Sequence, residues 1–205
     1  MMVTTIVIIN TITITNMKYL IFPILFLALI SSCQNNATPT NSNSKSEKTT
    51  KKKPLSPPES SMAMIGDAHI HIDYSSPGVR GRTIFGELIP YNQLWRAGAN
   101  DATWIETNKE LEVSGQSLPE GKYGIFAIPN NEKWTIVFNT RWKQHGTDKY
   151  SEKEDVFRIE VTPSILENIQ EHLKYQVSKT DEQSGIISLA WEKTKVEIPF
   201  KIKNK

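Results

Sequence analysis

Residues 68–74 read Ala-His-Ile-His-Ile-Asp-Tyr, and they decide the fold class of the chain. Side chains of a β-strand point alternately to its two faces. Ile70 and Ile72 would therefore share one face, while His69 and His71 share the other. An amphipathic helix would instead repeat its apolar residues every three or four positions. The segment predicts a strand with one buried face and one solvated face.

The same two-residue period recurs through the rest of the chain, and residues that tolerate positive φ stand between the periodic segments, as short hairpin loops require. About eight or nine short antiparallel strands are expected, which predicts a single all-β domain, a β-sandwich or jelly-roll with little helix. The further strand segments are 103–107, 111–113, 121–129, 134–138, 157–161, 173–177, 187–191 and 196–202, and the turns are Ser114-Gly115, Glu120-Gly121, Asn130-Asn131 and Ser184-Gly185.

Helix is expected at only two places. One is a helical turn at residues 91–95, after a proline. The other is residues 164–170, where Ser164 would be the N-cap and Glu167 would complete a capping box.

The single cysteine, Cys33, ends a segment that has the order of a bacterial lipoprotein signal. Residues 17–32 contain one lysine, an apolar run and two serines, as a secretory signal requires. Residues 29–33, Leu-Ile-Ser-Ser-Cys, resemble a lipobox, in which the thiol is acylated and the chain is cut just before the cysteine. We expect residues 17–32 to be the signal peptide. A simple anchor helix is the alternative, although the apolar run is short for a spanning helix.

Two further expectations concern the flanks of this signal. The uncharged residues 1–16 are expected to be an extension ahead of the true start at Met17. Residues 33–61 are expected to form a disordered, lipid-anchored linker, because Asn, Ser, Thr, Lys and Pro cannot bury enough apolar surface to offset the entropy of ordering. The linker's lysines suit anionic lipid head groups, although a merely solvated linker is the simpler explanation.

These features predict a cell-envelope protein whose partner is membrane lipid, bound through the acylated Cys33. No acidic cluster follows that cysteine, which favours the periplasmic face of the outer membrane over surface display.

The expected domain, residues 62–205, is large enough for one hydrophobic core. Six of the 24 Lys and Arg residues but only one of the 22 Asp and Glu residues precede residue 54, so the rest of the chain carries a net charge of −3. A basic nucleic-acid surface is therefore not expected. With its one cysteine used for lipid, the domain has no thiol nucleophile. No phosphate-binding loop, dinucleotide fingerprint or Gly-x-Ser-x-Gly elbow is present, and no cofactor is expected.

Glycine and arginine are concentrated in residues 74–86, Tyr-Ser-Ser-Pro-Gly-Val-Arg-Gly-Arg-Thr-Ile-Phe-Gly, which lead to residues 94–100, Leu-Trp-Arg-Ala-Gly-Ala-Asn. Together with residues 118–124, Leu-Pro-Glu-Gly-Lys-Tyr-Gly, and with Trp134, this block resembles the domain-of-unknown-function family DUF2911, found mostly in secreted or lipid-anchored bacterial proteins. The resemblance covers roughly residues 57–200, and its motifs are long enough to be specific. It implies no activity and supplies no catalytic residues.

The glycine- and arginine-rich block also contains a candidate ligand site. Guanidiniums grip carboxylate or phosphate bidentately, and an indole offers a stacking face, so a small anion or a sugar would be the ligand. The alternative is structural: Arg82 or Arg96 pairs with Glu87 or Asp101 and pins a long loop to the edge of the sandwich. The candidate ligand-binding residues are Arg80, Arg82, Glu87, Trp95, Arg96 and Asn100.

His69 and His71 form a candidate metal site. Their Cβ atoms would lie about 6.5 to 7 Å apart on one strand face, close enough to bind one zinc ion if a third ligand arrives. His145 or Asp73 would supply that ligand. Two solvent-exposed histidines without a metal are the alternative.

The tryptophans bear on the class of ligand. Trp134 and Trp191 fall on apolar strand faces and are expected in the core, which leaves Trp95, Trp104 and Trp142 as candidates for stacking on a carbohydrate. The sequence favours a non-enzymatic binding or structural module whose partner is a glycan, a small anion or another envelope protein. The alternative is an envelope hydrolase that acts on polysaccharide or peptide through carboxylates or through the histidine site.

Overall fold

The structure, a computed structural model, describes residues 54–203, which form two antiparallel β-sheets. The expected extension 1–16, the signal peptide 17–32, Cys33 and the linker up to residue 53 lie outside the described residues. No helix in the described part of the chain has the length and the hydropathy needed to cross a membrane.

Ten strands follow one another within residues 54–203. Six form one sheet in the order β1-β2-β3-β6-β7-β8, and four form the other in the order β5-β4-β10-β9. One turn of 3-10 helix, Glu152–Glu154, lies between β7 and β8. The strands are β1 (Pro58–Ile65), β2 (Ala68–Ser75), β3 (Trp104–Thr107), β4 (Leu111–Val113), β5 (Gln116–Leu118), β6 (Gly121–Ile128), β7 (Trp134–Asn139), β8 (Asp155–Val161), β9 (Ser164–Lys179) and β10 (Ser184–Ile202).

The alternation seen in the sequence accounts for the core. In β2, Ile70 and Ile72 are fully buried, whereas His69 and His71 are only partly buried on the opposite face. Buried side chains from both sheets join one hydrophobic cluster. The expected all-β, sandwich-like fold is confirmed.

Both helix predictions are wrong. Residues 164–170 belong to β9, where Ile165 pairs with Thr194 of β10 and the Ser164 hydroxyl donates to the Lys195 carbonyl. Cross-strand hydrogen bonds of a long hairpin thus replace the local capping box. Residues 91–95 make a turn without a helix, after which Trp95 exchanges two backbone hydrogen bonds with Ala127 of β6, at 2.7 and 2.9 Å.

The ordered domain begins earlier than composition suggests. β1 starts at Pro58, inside the stretch 33–61 that the composition predicts to be linker. Its polar first half pairs with β2, from Pro58 opposite Ser75 onward. The Ser61 hydroxyl also accepts a 3.0 Å hydrogen bond from the Val177 N–H. Backbone pairing therefore orders a segment that has little apolar surface to bury.

Residues 76–103, the glycine-arginine loop, connect β2 to β3 and are anchored by aromatic packing. Phe85 and Trp95 of this loop pack against Trp134 of β7 and Trp191 of β10. Phe85 lies 4.7 Å from Trp134 and Trp95 lies 5.9 Å from Trp191, between ring centres. The Trp95 Nε1–H donates to the Gly98 carbonyl at 3.0 Å. Buried rings hold this loop to the sandwich together with backbone hydrogen bonds, such as the 2.8 Å bond from the Val79 N–H to the Glu171 carbonyl.

Residues 140–154, the β7–β8 loop, are anchored by a carboxylate. The Asp155 side chain is only 10% exposed and accepts hydrogen bonds from Asn139 Nδ2 at 2.7 Å, the Tyr150 hydroxyl at 2.9 Å and Arg158 Nε at 2.8 Å. Burial, together with the hydrogen bond and charge of Asp155, raises the pKa of Tyr150 to about 12. The Tyr150 hydroxyl therefore stays protonated, and keeps donating to Asp155, well into the alkaline range.

Candidate functional site

The two anchored loops meet at the start of β3. The Gly146 N–H donates to the Asn100 carbonyl at 2.9 Å, and the Ala102 N–H donates to the Gln144 carbonyl at 3.0 Å. Beside these bonds, His145 Nδ1 lies 3.1 Å from Asp101 Oδ1. This junction brings together side chains from two segments that are about forty residues apart in sequence.

Two tryptophans form the centre of the junction. Trp104 is the first residue of β3 and Trp142 lies on the β7–β8 loop; both are partly exposed. Their ring centres are 5.6 Å apart and the rings are inclined by 57°. Two indoles with solvent-accessible surface therefore stand side by side at the point where the loops join.

Two open clefts share Trp104, Asp101 and Ala102. The larger has a volume of about 410 Å³ and is completed by Trp142, Lys143, Gln144 and His145. The smaller has a volume of about 210 Å³, and its remaining lining residues are Pro58, Glu59, Asp73, Tyr74 and Ser75. We call the two together the tryptophan cleft.

A lysine fixes the two indoles from the side of β6. Lys122 Nζ lies 4.6 Å from the Trp104 ring centre and 5.2 Å from the Trp142 ring centre, which are cation–π distances. The same ammonium lies 3.2 Å from a carboxylate oxygen of Glu106. The contacts of Lys122 hold both rings while leaving part of each exposed.

A histidine supports Trp104 from the side of β2. The His71 ring stacks on the Trp104 ring at 5.5 Å with only 7° between their planes. His71 Nε2 in turn lies 2.8 Å from Asp73 Oδ1. The Trp104 indole is thus preorganised by neighbours on both adjacent strands, which reduces the entropy that a ligand must overcome on binding.

The arginines of the glycine-arginine loop do not converge on the tryptophan cleft. Arg82 donates through Nε to the Val79 carbonyl at 3.0 Å and through Nη2 to the Gly78 carbonyl at 2.6 Å. Arg80 donates from its guanidinium to the Leu55 carbonyl. Both guanidiniums therefore stabilise backbone near their own loop.

Arg96 has a different environment. It is partly buried, and desolvation lowers the pKa of its guanidinium, an effect that the charge of Asp148 opposes. Its Nε is buried and has no hydrogen-bond partner among residues 54–203. The alternative suggested by the sequence, a pairing of Arg82 or Arg96 with Glu87 or Asp101, is not seen either; Asp101 pairs with His145 instead.

The other three residues of the expected ligand site lie at three different places in the structure. Trp95 is 4% exposed within the core, so the expectation that it offers a stacking face is corrected. Glu87 is exposed on the glycine-arginine loop. Asn100 lies at the loop junction, where its side-chain Nδ2 lies 3.2 Å from Ser75 Oγ. Of the six candidate residues, Asn100 is the one placed beside the tryptophan cleft.

The candidate zinc site does not gain the ligand expected of it. The His69 and His71 ring centres are 6.1 Å apart, and Asp73 is hydrogen-bonded to His71. Within residues 54–203, no three His, Cys, Asp or Glu side chains come together in a group that could hold a metal ion. His145 pairs with Asp101 instead, with 3.1 Å between Nδ1 and Oδ1.

The fold and the cleft define an all-β protein with two antiparallel sheets and an aromatic surface site. The chain matches the family described as protein of unknown function (DUF2911) over residues 56–200, and it belongs to that family. None of the curated proteins or solved structures compared with the chain matches it.

Proposed function

We propose that the protein is a lipid-anchored envelope protein whose domain binds a glycan without chemically altering it. The observation that carries this proposal is the pairing of Trp104 and Trp142 on an open cleft. Part of each indole stays exposed beside the contacts with His71 and Lys122, and rigid apolar surface of this kind suits the C–H faces of sugar rings. An enclosed pocket would suit a small molecule, whereas an open cleft leaves both ends of a polysaccharide free.

The polar lining of the cleft suits sugar hydroxyls. Asp101 and His145 are 83% and 71% exposed at their side chains and lie on the wall of the larger cleft. Lys143 adds a donor on the same wall, and Glu59 and Asp73 add acceptors in the smaller cleft. Donors and acceptors around an apolar floor are the usual composition of a specific binding site. Because the carboxylates outnumber the lysines of the cleft, a neutral glycan fits better than an acidic one.

Binding should depend on both tryptophans. We expect Trp104→Ala or Trp142→Ala to weaken glycan binding at least about tenfold, or about 1.4 kcal/mol, whereas Trp142→Phe should retain most of the affinity. The measurement is calorimetric titration of the full-length protein with envelope polysaccharides selected on a glycan array. Equal affinity of wild type and both alanine variants, or no binding to any glycan on the array, would contradict the proposal.

A hydrolase is the second candidate, and one observation favours it. Glu59, Asp73 and Asp101 line the smaller cleft, and pairs of carboxylates carry out most glycoside hydrolysis. The test is whether the protein releases reducing ends from a bound polysaccharide. Release that is lost in Asp101→Asn or Asp73→Asn would show that the protein is a hydrolase. Unchanged polymer length after prolonged incubation would support binding alone.

The anchoring part of the proposal is supported by the lipobox-like residues 29–33 and has its own test. We expect cells fed an alkyne-tagged fatty acid to label the wild-type protein in the outer-membrane fraction, and Cys33→Ser to remove the label. Because Cys33 lies outside the domain, the Cys33→Ser domain should fold as in the wild type. A circular dichroism spectrum that matches the wild type is therefore the control. A labelled Cys33→Ser protein, or an unlabelled wild type found in the cytosol, would refute a lipid anchor at this position.

A further inference from the structure

Two methionines lie opposite the two histidines of β2. Met62 and Met64 belong to β1, the edge strand of the six-stranded sheet, and each is 58% exposed. The register pairs Met62 with His71 and Met64 with His69. Residues directly opposite each other in an antiparallel pair point to the same face, with Cβ atoms about 4.5 to 5.5 Å apart. Two thioethers and two imidazoles therefore share one small patch of the sheet.

Core packing does not account for the methionines. Their neighbours in β1 and β2 that face inward, such as Ile65, Ile70 and Ile72, are fully buried, whereas Met62 and Met64 face outward. Exposed apolar side chains on an edge strand favour unwanted association between chains. The placement of two of them opposite two histidines instead suggests a shared ligand.

We propose that Met62, Met64, His69 and His71 bind one Cu(I) ion. Thioether sulfur is a soft ligand that selects Cu(I), and imidazole is also a good copper ligand. The His69 and His71 ring centres are 6.1 Å apart, so a small rotation of the two side chains would bring both imidazoles within metal–nitrogen distances of about 2.0 to 2.1 Å of one ion. The two thioethers make the site a better match for Cu(I) than for zinc, which prefers nitrogen, thiolate and carboxylate ligands.

The surroundings of His71 fit a ligand role. With the His71 Nε2–H donating to Asp73 at 2.8 Å, Nδ1 carries the lone pair that can bind a metal. A carboxylate that orients a metal-binding imidazole in this way typically contributes 10- to 100-fold to metal affinity. The His71 ring also stacks on Trp104, so an ion bound here should quench the fluorescence of that indole.

The test is a competition for copper in the absence of oxygen. The full-length protein, carrying Cys33→Ser in every sample so that no thiol competes, is stripped of metal and titrated with Cu(I) held by bicinchoninate. We expect the chain to withdraw one Cu(I) ion that the Met62→Leu/Met64→Leu double variant does not withdraw, with at least a tenfold loss of affinity. Leu and Met have similar volumes, so the double variant should fold as the parent does.

Further variants separate a specific site from general copper binding. Asp73→Asn should lower the affinity about tenfold or more, while His172→Gln, a change on β9, should leave it unchanged. Ag(I) alone should reproduce the quenching of tryptophan fluorescence, and Trp104→Phe should abolish that quenching without loss of binding. Equal copper uptake by the parent and the Met62→Leu/Met64→Leu variant would overturn the proposal, as would zinc binding that is tighter than Cu(I) binding and survives the double substitution. Neither result bears on glycan binding, which the tryptophan variants test separately.

Discussion

Trp95→Ala is expected to lower the free energy of unfolding by about 3 to 5 kcal/mol, the usual cost of truncating a buried tryptophan. The Trp95 ring is almost fully buried and stacks on Trp191 at 5.9 Å. Its loss leaves a cavity beside Trp134 and Phe85 and removes one of the two buried rings that anchor the glycine-arginine loop. Equilibrium denaturation with urea, followed by far-ultraviolet circular dichroism, measures the change.

Limited proteolysis adds a local readout for the same variant. Arg80 and Arg82 are exposed on the glycine-arginine loop, so release of the loop should speed trypsin cleavage there. Trp104→Ala is the matched control, since that tryptophan is only partly buried and lies outside the core cluster. If the free energy of unfolding of Trp95→Ala lies within about 1 kcal/mol of the wild-type value, the Trp95 ring does not anchor the loop.

Asp155→Ala is expected to lower the free energy of unfolding by about 2 to 4 kcal/mol, because it leaves several polar groups without their acceptor. Asn139, Tyr150 and Arg158 all donate to this nearly buried carboxylate. The same change should loosen the β7–β8 loop and so weaken glycan binding at Trp142. Denaturant unfolding and calorimetric titration of one preparation measure both effects.

Glu160→Ala provides the control for Asp155→Ala. Glu160 is another carboxylate of β8, but it is 64% exposed and pairs with Lys133 at the surface. Its removal should change stability little, because exposed ion pairs contribute little. If the two substitutions lower the free energy of unfolding equally, the effect comes from losing any carboxylate of β8 and not from losing the hydrogen bonds of Asp155.

The strands of the core could be predicted because each carries its own period. Ile70 and Ile72, or Trp191 on β10, are apolar at alternate positions, and burial on one face follows directly. The first half of β9 could not be predicted in this way. Ser164 and Glu167 form a local helix signal, whereas the hydrogen bonds that decide the outcome come from residues about thirty positions away.

The candidate site was harder to predict for a related reason. The glycine- and arginine-rich block suggested a ligand clamp because its charged and aromatic residues are close in sequence, but Trp95 turns into the core and Arg82 bonds to backbone. The sequence offers Trp104 and Trp142 as candidates for stacking, yet nothing in their spacing of nearly forty residues shows that they meet. The contact of Lys122 with both rings could not be inferred either.

The methionine–histidine patch illustrates the same limit. Met62 and Met64 follow a polar segment that composition assigns to a linker, so their pairing partners are not evident from the chain. Once β1 is known to pair with β2, the register places both opposite histidines. Cross-strand neighbours are fixed by tertiary structure, and single-sequence patterns do not contain them.

The junction of the two loops has a consequence for the lifetime of the protein. The Asn100–Gly146 and Ala102–Gln144 backbone bonds form only when distant segments have docked, so the unfolded chain lacks the cleft altogether. A ligand that recognises only the finished cleft must then protect the chain by mass action, by about 2.7 kcal/mol at a hundred times its dissociation constant. Saturation with sugar would thereby offset the damage caused by a moderately harmful mutation elsewhere in the sandwich.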